Sequence, residues 1–343
     1  MKLLDPCDLP PLGPLANRVV MAPMTRGFAP DHRATEHMAD YYVRRAEGGV
    51  GLIVTEGTVI HQSGDGYRDV PYIDTDDQTK AWAPLVSRVQ AAGAKILCQL
   101  WHCGRISHED FTGGPPVSST NRQAEGHNRQ NDKPFGVPRA LETGEMPEIY
   151  GHYVHAAEQA LAAGFDAVEL HFANGYLADQ FLDANINDRT DKYGGSVENR
   201  CRFALECLED VIKAVGAEKV AVRISPARDM GGLYEWPDLD AMLGHLIPAM
   251  DQLGLRMLSV TNARADYHQT GGRMVRKIRS LWPHFIMAGA SLSAEEAETE
   301  LAEGWVDAVT WGRALIANAD LPKRFENNEP LRAFEVPMLG SLE

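Results

Sequence analysis

The sequence predicts an α/β protein, a single (β/α)8 TIM barrel with a long loop after strand 3 covering the catalytic face. Two observations carry that prediction. Apolar runs of strand length recur eight times from end to end, and amphipathic stretches of helical length separate them. A continuous apolar strand followed by a helix reads as a parallel strand covered on both faces, and eight such units close a barrel. The chain has 343 residues, more than the usual single domain, but barrels reach this size as one unit. No Pro- or Gly-rich linker divides it, so residues 1–343 are expected to form one domain.

The strands are expected at Arg18–Ala22, Gly51–Thr55, Lys95–Leu100, Ala167–His171, Val220–Ser225, Met257–Thr261, Phe285–Ala288 and Ala308–Trp311. Helical patterns fill Met38–Glu47, Asp77–Ala92, Pro147–Ala163, Val197–Val215, Pro237–Leu253, Gly272–Leu281, Ala294–Ala302 and Leu321–Asn327. Several of these end in glycine just before the next strand (Gly48-Gly49, Gly93, Gly164, Gly216, Gly254, Gly304), as helix C-terminal capping requires. Two connections exceed plain turns. Cys103–Met146 is rich in Gly, Pro, Ser and Asn and reads as a lid or wall. Asn185–Asn199 is polar and carries Arg189-Thr190-Asp191 and Tyr193-Gly194-Gly195-Ser196.

Charge narrows the function classes. The net charge of −15, from 33 basic and 48 acidic residues, argues against nucleic acid or an anionic membrane as partner. No window holds the ~18–20 apolar residues of a membrane span, and the first residues lack the apolar core of a signal peptide. The cytoplasm is the default expectation, with a monomer or homo-oligomer acting on a small molecule. Five scattered cysteines (Cys7, Cys98, Cys103, Cys201, Cys207) read as reduced thiols, not as a disulfide framework or an iron–sulfur site. His152 and His155 stand three apart on a predicted helix, a spacing that can bind metal; lacking a third ligand, they read as solvated helix residues, and no metal is expected. Arg273, Arg276, Lys277 and Arg279 likewise read as a solvated basic face. Glu295-Glu296 suits a helix start.

The candidate site lies at His171-Phe172-Ala173-Asn174-Gly175-Tyr176, directly after a strand. Loops that follow barrel strands face the catalytic end. His171 and Asn174 can donate hydrogen bonds, and Tyr176 carries a phenolic proton.

Four stretches then converge. They are Asn17 to Arg26 (NRVVMAPMTR), Gln99 to Arg105 (QLWHCGR), His171 to Leu182, and Arg189 to Arg200 (RTDKYGGSVENR). Together they resemble the Old Yellow Enzyme family of flavin-dependent NAD(P)H oxidoreductases, and Trp311 to Asn318 (WGRALIAN) is similar to that family's last-strand signature. The resemblance runs from about residue 2 to about residue 330 in order and spacing.

It implies tightly bound, non-covalent FMN at the top of the barrel. Gly289, Ala290, Gly312 and Arg313 would hold the phosphate after strands seven and eight, with backbone amides and one charged fork. Gln99 would meet the pyrimidine edge, and Arg223 would stabilise negative charge on the reduced ring, which would in turn be the anion a buried Arg needs. Pro23, Met24 and Gly57 would line the ring, and Thr25 would hydrogen-bond it. His171 and Asn174 would hold the oxygen of an activated alkene, which accepts hydride at its β-carbon, and Tyr176 would protonate the α-carbon. Tyr67 and Trp101 would be pocket walls. The chain has no Gly-x-Gly-x-x-Gly after a strand. The resemblance implies instead that NADH or NADPH enters the same pocket as a transient co-substrate in a ping-pong cycle.

Two departures bear on substrate. The tail beyond Asn328 carries no Tyr where the family usually places one near the pocket, and Gly126–Pro134 is unusually polar. Ala290 stands where the family has Gly or Asn. The rival reading is a related flavin enzyme oxidising amine or N-methyl substrates; those relatives often carry an iron–sulfur cluster and extra domains, which neither the cysteines nor the length suggest. A degenerate, non-enzymatic barrel would be expected to lose His171, Asn174, Tyr176 and Thr25, yet all four stand.

Overall fold

A computed structural model describes residues 1–229, 232–261 and 266–343. Eight parallel strands form a closed ring: β1 (Val19–Met21), β2 (Leu52–Val54), β3 (Lys95–Trp101), β4 (Ala167–Phe172), β5 (Val220–Ile224), β6 (Met257–Val260), β7 (Phe285–Gly289) and β8 (Ala308–Trp311). Each pairs with its neighbour in sequence, and the ring closes through β8 and β1, where Trp311 lies opposite Met21. All eight expected strands are present, shifted by no more than a residue or two at their ends. The helices follow as expected: α1 (Glu36–Glu47), α2 (Asp76–Ala91), α3 (Met146–Ala162), α4 (Val197–Val215), α5 (Leu239–Gln252), α6 (Gly271–Arg279), α7 (Ala294–Ala302) and α8 (Leu321–Asn327). No helix among the described residues is long and apolar enough to cross a membrane.

Side-chain alternation divides the core in two. Val168 and Leu170 of β4 point outward and join Ile53, Ile96, Val222, Leu258, Ile286 and Val309 beneath the helices. Ala167 points inward with Val20, Leu52, Leu97, Ala221, Met257, Phe285 and Ala308. An N-terminal hairpin, Cys7–Leu9 against Gly13–Leu15, adds Cys7, Leu9 and Leu15 to this inner cluster and plugs that end of the barrel. Its strands of three residues were too short to stand out in the sequence. By the same alternation, Glu169 and His171 face the interior with Ala167, nearer the C-terminal end of the ring.

Three expectations are corrected. The connection after β3 is not structureless. It holds a short helix at Glu109–Thr112, a parallel pair of Val117–Ser118 with Arg139–Ala140, and a hairpin of His127–Asn128 with Lys133–Pro134. The basic face of α6 is ion-paired as well as partly exposed. Arg276 meets the buried Glu300 (2.6 Å), Arg279 meets Asp307 (2.7 Å) and Lys277 meets Asp240 (2.6 Å), while Arg273 pairs with Glu235. His152 and His155 are likewise engaged. The His152 ring stacks on His61 at 3.9 Å, and His155 Nε2 lies 2.8 Å from the Asp74 carbonyl. The start of α7 is closed by a capping box between Ser293 and Glu296, so Glu296 also serves hydrogen bonding.

Candidate active site

The segment after β4 is held from two sides. Asn174 takes a left-handed backbone (φ 60°), which Asn tolerates better than most residues, and its N–H donates to Ser225 Oγ at 2.7 Å. Gly175 (φ 79°) donates its N–H to Asp179 Oδ2 at 2.7 Å. Asp179 is fully buried and also accepts from Arg228 (2.9 Å) and the Trp236 indole (2.9 Å). Gln180 donates to the carbonyls of Gly175 (2.8 Å) and Cys103 (3.1 Å). These four supports, Asp179, Gln180, Ser225 and Arg228, were not singled out in the sequence. The signal was there in part: Asp179 and Gln180 lie on a six-residue helix, Leu177–Leu182, every residue of which is buried.

The aromatic wall forms as one cluster. Tyr67 lies 4.9 Å from Trp101 by ring centroids, and Trp101 stands edge-on to Tyr176 at 5.0 Å. The His171 ring is 5.1 Å from that of Tyr176. The hydroxyls of Tyr67 and Tyr176 share a hydrogen bond of 2.9 Å. Gly57 is pressed against the indole: a Cβ there would stand 2.4 Å from Trp101 Cε3. Above the cluster, Thr25 is exposed and lines a cavity of about 210 Å³ with Arg26, Gly27, Tyr67, Arg68, Asp69 and Gln130. Gln130 belongs to the 127–134 hairpin, which is anchored by Asn128 donating to the Gly66 carbonyl at 2.8 Å. The polar loop thus stands over the mouth.

Loops from four strands complete the mouth. Glu56, fully buried, accepts from the N–H groups of Arg26 (3.0 Å) and Gly27 (3.2 Å) and ties the loop after β1 to the loop after β2. Pro23 and Met24 are half-buried, and Met24 Sδ would lie 2.8 Å from a Cβ at Gly312. Gly289 and Ala290 leave β7 beside β8, with Gly289 opposite Thr310. Arg313 is exposed, and its guanidinium packs over the Phe334 ring at 5.5 Å. The tail therefore reaches the rim with a Phe. Farther on, the Arg26 guanidinium donates to the carbonyls of Met338 and Ser341.

Ala290 has φ 146°, a backbone region that only glycine enters freely. We expect Ala290→Gly to stabilise the apoprotein by about 1 kcal/mol, and to shift its thermal midpoint upward by a few degrees. Calorimetry checks this; an unchanged or lower midpoint contradicts it.

The floor of the mouth is a buried polar layer. Arg223 donates to Ser259 Oγ (2.7 Å) and Thr261 Oγ1 (2.8 Å). Gln99 Nε2 donates to Glu169 Oε1 at 2.8 Å. Burial pushes the His171 imidazole well below its ordinary value, and the Arg223 charge adds to that, so the ring is neutral at working pH. Burial pushes the Tyr176 phenol well above its ordinary value, with Tyr67 a smaller cause. Arg223 also has a carboxyl neighbour within the protein. Burial lowers the Arg223 pKa, and Glu169, hidden in an apolar run of the sequence, opposes that through its charge.

The layer offers both donors and acceptors to a polar ring. Trp101 Nε1, Glu169 Oε2, His171 Nδ1, Asn174 Oδ1 and Arg223 Nε are all buried without a hydrogen-bond partner. An unmet buried polar atom costs about 1–3 kcal/mol, so five of them near the C-terminal ends of β3, β4 and β5 suit a bound polar ligand. FMN would bring donors and acceptors on its ring edge to such a layer.

The comparisons agree with that chemistry. Residues 2–332 match the NADH:flavin oxidoreductase / NADH oxidase family. A putative 12-oxophytodienoate reductase 11 from Oryza sativa subsp. japonica is 38% identical over 329 residues, covering 93% of this chain and 89% of its own. The 12-oxophytodienoate reductase 7 of the same plant is 39% identical, covering 97% and 89%. Among solved structures, an old yellow enzyme homologue from Zymomonas mobilis superposes with a TM-score of 0.93 at 35% identity, over 100% of this chain and 99% of that one. Morphinone reductase in complex with tetrahydroNAD superposes with a TM-score of 0.90 at 37% identity, over 99% and 94%. The chain belongs to the NADH:flavin oxidoreductase family, the Old Yellow Enzymes, and is an FMN-dependent oxidoreductase that uses NAD(P)H.

Proposed function

We propose that the chain reduces the activated C=C bond of α,β-unsaturated carbonyl or nitro compounds by a ping-pong mechanism. The carrying observation is the end of β4, where the buried His171 ring stands 5.1 Å from that of Tyr176, whose hydroxyl meets that of Tyr67 at 2.9 Å beside Trp101. When bound, FMN would supply the hydride-transfer chemistry between NADH or NADPH and the β-carbon of the alkene.

The protein's own groups do the rest. His171 and Asn174 donate to the substrate oxygen and stabilise the negative charge that develops there. A neutral imidazole suits this role because it donates without bringing a charge whose burial would cost several kcal/mol. Tyr176 gives its proton to the α-carbon. Tyr67 holds the Tyr176 hydroxyl in place through the 2.9 Å bond. Gln99 and Arg223 would hold the polar edge of the cofactor. Pro23, Met24, Thr25 and Gly57 would line its ring, and Gly289, Ala290, Gly312 and Arg313 would hold its phosphate. Reduction and oxidation share one pocket, so no separate dinucleotide domain is required.

The test begins with purified protein, which should be yellow and release FMN on denaturation. Reduced anaerobically by NADH or NADPH, it should be reoxidised by 2-cyclohexenone. The oxidised protein is mixed separately with a panel of amines. Flavin reduction by an amine, together with no response of the reduced enzyme to any activated alkene, would sink this reading in favour of an amine-oxidising one.

A further inference from the structure

Glu169 is a carboxylate where the barrel core should be apolar. It is 0% exposed, lies on barrel strand β4, and faces the interior two residues before His171. Its strand neighbour in register is Gln99 on β3, while Arg223 follows on β5 opposite His171. Burial raises its pKa, and the Arg223 charge is the largest influence opposing that, followed by Gln99 and Ser259. One oxygen accepts from Gln99; the other, Oε2, has no partner. A buried carboxylate in this state is costly.

We propose that Glu169 is a positioning residue of the flavin site, which fixes the orientation of the Gln99 amide and balances the Arg223 charge. An ionised carboxylate can only accept hydrogen bonds. Gln99 must therefore turn Nε2 toward Glu169, and its amide oxygen is left for the mouth as an acceptor for a ring N–H. With an apolar residue at 169 the amide could turn either end outward. The charge has a second effect. Arg223 unbalanced would favour the more negative, reduced ring strongly; Glu169 moderates that preference and so sets how readily the cofactor gives hydride up again. The inference rests on FMN occupying this mouth as proposed above.

The experiment uses the FMN-loaded protein and reads the flavin itself. Glu169→Gln keeps the shape and removes the charge. The affinity for reduced over oxidised FMN should rise about tenfold, which is about 30 mV in a two-electron midpoint potential. A potential that stays put or moves down overturns the proposal. Glu169→Asp keeps the charge and withdraws it from Gln99. It should lower FMN affinity several-fold and shift the visible flavin bands, with the potential near that of the parent. Should the Gln variant fail to fold, the Asp variant decides: unchanged affinity and bands overturn the proposal. A parent protein that takes up no FMN overturns the functional reading and this one together. A parent that holds FMN beside unresponsive Glu169 variants overturns this inference alone.

Discussion

Replacing Tyr176 by Phe is expected to slow alkene reduction about 10²–10⁴-fold and to leave reduction of the enzyme by NADH or NADPH intact. Only the alkene half-reaction asks for a proton on carbon. Tyr176 is 8% exposed, and its hydroxyl is held 2.9 Å from that of Tyr67. Burial lifts its pKa well above the usual phenol value, so it keeps its proton at every working pH. The rate of alkene reduction should show no loss from Tyr176 ionisation as pH rises toward 9. Anaerobic stopped-flow measurement of the two half-reactions separates the outcomes. Equal loss in both would contradict a proton-donor role and point to a structural one.

Replacing His171 by Ala should cost about 10²–10³-fold in the same half-reaction, since an oxygen-holding donor acts mainly in the transition state. The pH profile carries more information than the rate. Burial, with Arg223 second, holds the His171 pKa well below 6.5. The folded protein therefore keeps this ring neutral where an unfolded chain would protonate it near pH 6.5. By linkage, the stability associated with a neutral His171 is full above about pH 6.5 and is lost as pH falls toward the folded-state value. His102, also fully buried and pushed down to about 3, acts in the same direction. Alkene reduction measured between pH 5 and 8 should accordingly show no step near 6.5 from His171. A step there that His171→Ala removes would mean that the imidazolium is the working form.

Much of this protein was legible in its sequence for a simple reason. Strands buried on both faces must be apolar along their length, so eight of them announce themselves. Helix ends need glycine and capping side chains, so the boundaries are visible too. The site residues from Gln99 to Arg313 were named through the family resemblance, which the order and spacing of those strands carries. The failures have one cause. The α6 arginines and the α3 histidines read as solvated because a single helix does not reveal what packs on it; Glu300, Asp307 and His61 come from elsewhere in the chain. Asp179, Ser225 and Arg228 support Asn174 and Gly175 from separate elements, and no local pattern joins them.

By itself, then, the sequence determined the barrel, the order of its elements and the hexapeptide that ends β4. Local physics sets all three: alternation, capping and the side-chain chemistry of neighbours along the chain. Only the tertiary structure decided the electrostatics of the mouth. It placed a carboxylate, an amide, a guanidinium and an imidazole from three adjacent strands in one dry layer, and burial there sets which of them carry protons. Proton affinity depends on desolvation and on charges close in space, and neither distance nor burial is written in the order of residues.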